Sequence, residues 1–260
     1  MLHEDRVRAQ SFGGAAESYD RTRPTYPAAL LDDILAETPG AVLDVGCGTG
    51  IVSALLAARG FSVLGIEPDP RMAQGARAKG LEVEVSRFED WDARGRRFGL
   101  LTCGQAWHWV APNPGADRAA AVLAQGARLA LFWNFGAPPE AINARLHEAY
   151  APYAGLGLAS DAGLRARRED RARDTEAVFA GHPAFSEVQT RRYAWSRAYT
   201  TREWTEQLAT HSDHATLPAD ARGRVLEAVA AVIDAEGGRF DVTYEVLLIS
   251  ARRRGGSTGS

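Results

Sequence analysis

Short apolar runs alternate along this chain with stretches in which apolar residues recur at helical spacing. The apolar runs predict seven strands, at 42–45, 61–66, 81–85, 98–103, 127–133, 188–199 and 240–249. The helical pattern predicts helices that begin after Pro27 and at Ile51, Pro70, Thr201 and Pro218. Because strands and helices alternate, we expect an α/β fold built on a doubly wound, mostly parallel seven-stranded sheet.

Two segments break this alternation. Pro24 and Pro27 prevent a continuous helix near the N-terminus and predict an extended segment between them. Residues 136–183 interrupt the strand rhythm and predict a helical insertion after the fifth strand, whose charged run RARREDRARD is typical of a solvated helix face. We expect a single domain over 1–254, followed by a Gly/Ser-rich, disordered tail over 255–260.

Composition and charge narrow the class of protein. The chain has 260 residues, 45% hydrophobic and 24% charged, with a net charge of -3, so no overall basic field indicates a nucleic-acid partner. No apolar run approaches the roughly 18 residues of a membrane span, and the charged N-terminus lacks the core of a signal peptide. Two cysteines in a chain of this length favour free thiols and a cytoplasmic location.

The stretch from Ala41 to Gly50, AVLDVGCGTG, joins a predicted strand to a predicted helix through three glycines. We expect this turn to present backbone N–H groups to a ligand at the helix N-terminus. It departs from the dinucleotide fingerprint, which needs glycine where Ile51 stands, and it lacks the lysine of a phosphate-binding P-loop.

In parallel sheets, ligands bind where the strands end, so residues at those ends are candidates for binding. Glu67 ends the second strand about 20 residues after the glycines, where an acid commonly accepts hydrogen bonds from two ribose hydroxyls. Pro68 and Met72 follow as candidates for packing against a base. Similar positions after the third and fourth strands are occupied by Phe88-Glu89-Asp90 and by Gln105-Ala106-Trp107-His108-Trp109.

The glycine stretch resembles the first motif of class I S-adenosylmethionine (SAM)-dependent methyltransferases. More specific motifs resemble the trans-aconitate-methyltransferase-like group, which acts on small molecules. They are YxxxRPxYP from Tyr19, the aromatic-His-Trp at 107–109, TxSDH at 210–214 before Leu217-Pro218, and Gly238-Arg239-Phe240. The resemblance covers about residues 12–254, but only loosely across 136–183, where substrate choice is expected to lie.

The resemblance implies SAM as cofactor, S-adenosylhomocysteine (SAH) as product, and a Rossmann-like class I methyltransferase fold. It also implies that residues 1–35 form a lid over the cofactor and that 136–183 cap the substrate. Asp44 is expected to order the glycine loop, and Glu89 is preferred to Asp90 for the adenine. The implied cofactor-binding residues are Tyr19, Arg23, Asp44, Gly46, Cys47, Gly48, Gly50, Glu67, Pro68, Met72, Phe88, Glu89, Gln105, Ala106 and Trp107.

The predicted activity is methyl transfer from SAM to a carboxylate, hydroxyl, amine or carbon of a small molecule. Implied substrate contacts are Tyr26, Trp109, Trp133, Ser212 and His214. His108 is the candidate catalytic residue: it would be the base for a hydroxyl or amine, or else it would order the loop or the cofactor's carboxylate. A carboxylate acceptor needs no base.

Several alternatives stay open on the sequence alone. The rival function is a SAM-fold protein that binds the cofactor without methyl transfer, as a cyclase or binding module. A nicotinamide enzyme is disfavoured by Ile51. His211 and His214 provide too few ligands for a metal site. The chain is expected to act as a monomer or homodimer.

Overall fold

A computed structural model describes residues 20–156 and 161–255, apart from the side chains of 161–168 and Ser212. Tyr19 and residues 256–260 of the predicted tail lie outside this range. The strands are β1 (Val42–Val45), β2 (Val63–Glu67), β3 (Glu82–Val85), β4 (Phe98–Gly104), β5 (Leu123–Ala137), β6 (Phe185–Thr200) and β7 (Arg239–Arg253).

Helices connect these strands. They are α1 (Ala28–Leu35), α2 (Ile51–Ala57), α3 (Pro70–Ala78), α4 (Pro112–Val122), α5 (Glu140–Tyr150), α6 (Asp161–Gly181), α7 (Thr201–Ala209), α8 (Ser212–Ala215) and α9 (Ala219–Ala235). Two short 3₁₀ helices, Trp107–Trp109 and Ala151–Leu156, follow β4 and α5.

The seven strands form one sheet in the order β3-β2-β1-β4-β5-β7-β6. Neighbours from β3 to β5 are parallel, while β7 is antiparallel to both β5 and β6. β6 therefore runs in the same direction as β5, and the carboxyl ends of six strands meet at one edge. This arrangement confirms the predicted doubly wound, mostly parallel sheet.

The central strands are buried on both faces, which explains why they appear in the sequence as continuous apolar runs. On one face, α1 and α2 pack against side chains such as Val42 and Phe132. On the other face, α4 and α6 cover Leu43, Leu101 and Leu131. The side chains of successive residues in one strand therefore pack into two separate core layers, one on each face of the sheet.

The described part of the predicted lid, residues 20–35, divides into two, which corrects the expectation that α1 belongs to the lid. Leu30, Leu31 and Ile34 of α1 are fully buried in the core, so α1 belongs to the helical layer. Residues 20–27, named here the strap, cross the carboxyl edge of the sheet: a helical turn at 20–22 precedes an extended run to Pro27.

The insertion after β5 is helical, as predicted, but its two helices pack in different places. Ile142 and Leu146 of α5 pack with residues of α7 and α9, and we name α5, α7, α8 and α9 the helical cap. Ala172 and Phe179 of α6 instead pack on the sheet beside α4. Of the two helices within 136–183, only α5 therefore belongs to the cap.

Candidate functional site

A cleft opens at the carboxyl ends of β1 and β4, where the strand order reverses and ligands of such sheets bind. Measured out to its open mouth, it holds about 550 Å³. One wall is the glycine loop that follows β1, and the opposite wall is formed by Arg23, Pro24 and Tyr26 of the strap. Gln105 lies on the wall that follows β4. The cleft therefore brings residues of the predicted glycine motif and of the predicted N-terminal motif together.

The glycine loop has a conformation that other residues rarely adopt. Gly46, Gly48 and Gly50 all have positive φ, at 65°, 57° and 81°. A Cβ on Gly46 would stand 2.5 Å from the Cβ of Ala106, which leaves no room for a side chain. Gly46 is therefore required both for the turn and for its close contact with the loop after β4.

The N–H groups of Gly46, Cys47, Gly48 and Gly50 are used inside the protein, so the expectation that the loop's N–H groups face a ligand is wrong for these four. Those of Gly46 and Cys47 both donate to the Ile66 carbonyl, at 2.8 and 3.1 Å. The Gly48 N–H donates to Glu67, and the Gly50 N–H donates to the Cys47 carbonyl. The loop is thus anchored to β2, and its backbone dipoles serve its own geometry.

Asp44 connects the strand before the loop to neighbouring elements through two hydroxyl groups, and its role in ordering the loop stays a prediction. Its carboxylate accepts hydrogen bonds from Ser53 Oγ at 2.6 Å and from Thr102 Oγ1 at 2.9 Å. These bonds join β1 to α2 and to β4. Burial raises the pKa of Asp44 to about 6, and the two hydrogen bonds offset only part of that rise. Asp44 also lines the cleft, so a cation bound there would favour its charged form.

Glu67 also supports the loop. Its two oxygens accept from the N–H groups of Gly48 and Asp69, each at 2.9 Å, and its side chain is buried. Burial raises its pKa to about 7, against the effect of these bonds. Cys47 packs against Gly65 beneath the loop, and burial raises the pKa of its thiol. Cys47 and Cys103 are both free and buried.

The residues predicted to hold the adenine differ in their surroundings. Met72 is buried beside Gly48, while Pro68 is exposed. Glu89 accepts the N–H of Ala111 at 2.9 Å, just before α4. Phe88 packs in the core with its ring near that of Trp107, and its contact with the adenine stays a prediction.

The loop after β4 holds the remaining predicted contacts. Gln105 lines the cleft with a positive φ of 60°, which is strained for a non-glycine residue, and its amide donates to the Asn134 carbonyl at 2.9 Å. Trp107 is 3% exposed, and its large apolar ring lies against Phe179; its place beside the cofactor stays a prediction.

His108 is partly exposed and pairs with a second predicted residue. The indole N–H of Trp133 donates to His108 Nδ1 at 3.4 Å, and the ring of Trp109 lies 5.0 Å from that of His108. In the neutral imidazole, a donor at Nδ1 places the ring proton on Nε2. In this tautomer His108 offers an N–H donor at Nε2, and its role as a base stays a prediction.

The strap is held at both ends by residues that no motif had indicated. Asp20 accepts from Thr49 Oγ1 at 2.9 Å and pairs with Lys79, which itself donates to the Thr49 carbonyl. At the other end, Arg23 donates to the Thr210 carbonyl at 2.9 Å. These partners lie 29 to 187 positions apart in the chain, so no local pattern could have revealed them.

Asn134 is the polar exception in the apolar run of β5. Its Nδ2 donates to the Thr25 carbonyl of the strap at 3.0 Å, and its Oδ1 accepts from Trp195 at 3.1 Å. Tyr26 then packs edge-on against Phe132, with ring centroids 4.9 Å apart. The sequence analysis missed this residue, although a lone amide in a buried strand is a signal that could have indicated such a role.

Over the described residues, the structure contains neither a membrane-spanning helix nor a metal-binding cluster. Across 20–156 and 161–255, no helix is both long and apolar enough to cross a membrane. Within the same ranges, no three His, Cys, Asp or Glu side chains are grouped in a way that could hold a metal ion. The predicted substrate contact His214 is 4% exposed and lies in the cap, whereas the side chain of Ser212 is not described.

Comparison with known proteins agrees with this geometry. A family model described as a methyltransferase domain matches residues 19–150. An uncharacterized methyltransferase of Mycobacterium tuberculosis is 30% identical over 233 residues, which cover 88% of each chain. A solved structure from Anaeromyxobacter dehalogenans, assigned as a type II methyltransferase, superposes with a TM-score of 0.65 at 20% identity, covering 88% of this chain and 97% of that one.

A second solved structure is similar in fold and holds a cofactor product. It is a phosphoethanolamine N-methyltransferase of Haemonchus contortus, solved with phosphomonomethylethanolamine and SAH. Its TM-score is 0.56 at 11% identity, with 98% of this chain and 60% of that chain covered. Because the family match contains the whole glycine loop and the mycobacterial relative is similar over nearly the full length, the chain belongs to the methyltransferase domain family and uses SAM as its cofactor.

Proposed function

We propose that this methyltransferase acts on a small molecule bound between the strap and the helical cap. One observation carries the proposal: the cleft beside the glycine loop is walled on its other side by Arg23, Pro24 and Tyr26. A cleft lined by loop backbone, an arginine and a tyrosine suits a small ligand with a few polar groups. Within the class, membership of the trans-aconitate-methyltransferase-like group stays a prediction from the motifs.

The cleft fits the methionine end of the cofactor. Gly46 and Gly48 keep the loop free of side chains, and a Cβ at Gly46 would collide with Ala106. Arg23 would hold the cofactor's carboxylate, since a guanidinium matches a carboxylate geometrically. Asp44 would face the positive charge of the cofactor. When bound, the cofactor supplies a methyl group attached to a positively charged sulfur.

Glu67 and Met72 would hold the adenosine end. Each oxygen of Glu67 accepts one backbone N–H, and a carboxylate has about four acceptor positions, so capacity for ribose hydroxyls remains. Met72 would pack against the base from its place beside Gly48. Glu67 would then have two roles: it would order the loop and bind the ribose.

The remaining residues would exclude water and orient the reactants. The strap closes one side of the cleft, and its ties to Thr49 and Thr210 hold it there. His108, with its proton on Nε2, would donate a hydrogen bond to the acceptor or to the cofactor's carboxylate. In-line placement of the acceptor can supply most of the rate enhancement.

A matched pair of arginine variants tests cofactor binding through the strap. Arg23→Met should weaken SAH binding by about tenfold or more, the effect of losing a charge-assisted hydrogen bond. Arg21→Met is the control, because Arg21 pairs only with Glu206 at the surface among the contacts described, and should change affinity by less than about twofold. Isothermal calorimetry measures both. Equal losses of SAH affinity in the two variants would mean that the cofactor's carboxylate does not bind Arg23.

The acceptor class is tested by SAH release. Small acids, phenols and amines are incubated with enzyme and SAM, and SAH is quantified for each. Turnover with at least one class supports the proposal and identifies the acceptor atom. Binding of SAH combined with turnover only on a protein or nucleic acid would overturn the small-molecule assignment.

A further inference from the structure

Three polar side chains form a line in the helical cap, and none of the three is among the residues that line the cofactor cleft. Nδ1 of His214 lies 2.9 Å from Asp213 Oδ1, and its Nε2 lies 2.9 Å from the Tyr150 hydroxyl. The rings of Tyr150 and His214 meet edge-on, with centroids 5.8 Å apart. His214 is 4% exposed, so this carboxylate, imidazole and phenol interact largely out of water.

The direction of each hydrogen bond follows from the chemistry of the groups. Burial alone would raise the pKa of Asp213, but the hydrogen bonds from the His214 ring and backbone N–H hold that pKa well below its usual range. An ionised carboxylate can only accept, so the imidazole carries its proton on Nδ1. Nε2 then has a lone pair, and the Tyr150 hydroxyl donates to it.

One hydrogen bond joins the cap segment that holds His214 to the cofactor cleft. Thr210, four residues before His214, accepts the hydrogen bond from Arg23, which lines the cleft. The cap segment that holds His214 is therefore joined directly to the wall of the cofactor site.

We infer that Asp213, His214 and Tyr150 form a proton relay that serves a hydroxyl or amine acceptor, an inference that rests on the proposed function. The acceptor's O–H or N–H bond breaks as its proton moves to the Tyr150 oxygen, whose own proton moves to His214 Nε2. The acceptor keeps the electron pair as a nucleophile. The imidazolium then pairs with Asp213, so no buried charge is left without a partner.

This arrangement is the opposite of the one at His108. Trp133 donates to His108 Nδ1 and so leaves Nε2 protonated, whereas Asp213 accepts from His214 Nδ1 and leaves Nε2 able to take a proton. Of these two histidines, the structure prepares His214 to act as a base. Tyr150 is the group through which the relay would contact an acceptor.

The activated phenol is tested with a sulfonyl fluoride. Phenylmethylsulfonyl fluoride reacts with nucleophilic tyrosines, and peptide mass spectrometry gives the labelling rate at each site. Tyr153 is the internal control, because it is three residues away and, like Tyr150, half-buried. We expect Tyr150 to be labelled about tenfold faster or more than Tyr153 in the wild-type protein. Equal rates would overturn the relay.

Two variants distinguish a His214 that accepts the proton of Tyr150 from a His214 that only holds α5 in place. His214→Gln keeps an acceptor for the Tyr150 hydroxyl but cannot take a proton, so the Tyr150 rate should fall to that of Tyr153. Asp213→Asn keeps the hydrogen bond without the charge and should give an intermediate rate. Circular dichroism and Tm check the fold. An unchanged Tyr150 rate in folded His214→Gln would assign the three residues a structural role only.

The proposed function and the relay can fail separately. SAH calorimetry on the wild-type protein tests the cofactor site, and labelling tests the relay without cofactor. For a hydroxyl or amine acceptor found in the screen, Tyr150→Phe should lower kcat by about tenfold or more with little change in KM. An unchanged kcat would remove the relay from the reaction.

Discussion

At the scale of single residues, the acids predicted to touch the cofactor also hold the protein's own loops. Asp44 joins β1 to Ser53 and Thr102, and Glu67 holds the N–H groups of Gly48 and Asp69. The residue types and positions were evident from the chain. The sequence did not show that each acid already has internal partners, because those partners come together only when β1, β2 and β4 lie side by side.

The two histidines should differ in tautomer. Nitrogen-15 NMR of the neutral rings should show His108 protonated at Nε2 and His214 protonated at Nδ1, because Trp133 donates to one ring and Asp213 accepts from the other. Trp133→Phe should change the His108 signals and leave those of His214 as they are. The same tautomer in both rings would contradict the assignment of donor and base.

Asp44 should make stability depend on pH. Its pKa is about 6 in the folded protein against 3.8 for the free side chain, so the folded state binds its proton more tightly. Its stabilising effect is therefore complete below about pH 4 and is lost as the pH rises through about 6, by up to about 3 kcal/mol.

The comparison with Asp44→Asn isolates this effect, because other titrating groups are common to both proteins. Urea denaturation at fixed ionic strength should show the wild-type protein losing free energy of unfolding relative to the variant between about pH 4 and pH 7. A difference that is constant across this range would mean that the Asp44 carboxyl titrates normally in the folded state.

At the scale of elements, the glycine loop and the strap form the two walls of the site. The loop was predicted from its composition, since positive φ and close contact require glycine. The closing role of the strap was predicted from the resemblance, but the structure assigns its attachments. Asp20 binds next to the loop, Arg23 binds α7, and Asn134 holds Thr25 from below.

Two glycines with positive φ separate backbone strain from close contact. Gly46→Ala adds a Cβ 2.5 Å from Ala106, whereas Gly60→Ala, at φ 88°, adds one with nothing within 4 Å. Both variants should lose about 1–2 kcal/mol to the left-handed conformation. Gly46→Ala should lose a further 1–3 kcal/mol, roughly, to overpacking. Denaturation midpoints compare them, and equal losses would show that the loop moves to accept the methyl group.

Removing residues 1–22 tests the strap as an element. The deletion stops before Tyr26, which packs on Phe132 in the core, so the sheet should stay folded. It removes Asp20 and its ties to Thr49 and Lys79, and SAH binding should weaken by about tenfold or more. Calorimetry measures the affinity, with circular dichroism as the check on folding. Full affinity in the truncated protein would show that the strap does not close the site.

Hydrogen exchange provides a second test of closure. Saturating SAH should slow exchange at residues 23–26, and β4 serves as the reference because it is fully paired in the sheet. Equal exchange in the strap with and without SAH would count against a lid.

At the scale of the whole molecule, the chain by itself determined the sheet, the glycine loop and the family. Buried strands require apolar runs, helices require a repeating apolar face, and a tight loop requires glycine, so each leaves a local pattern. α4 had a weaker pattern, because its buried positions are small residues such as Ala116 and Ala119. Strand limits were also less certain, and β5 and β7 extend beyond their apolar centres to support the cap.

Only the tertiary structure decided how distant residues combine. It divided the insertion between cap and sheet, placed Phe88 and Trp107 in the core, and turned the N–H groups of Gly46 and Cys47 toward β2. It also brought Tyr150 to His214 across 64 positions of sequence. Hydrogen-bond partners and ring neighbours depend on which surfaces meet after folding. Local composition determines which elements form, whereas their packing determines what each side chain can bind, donate or accept.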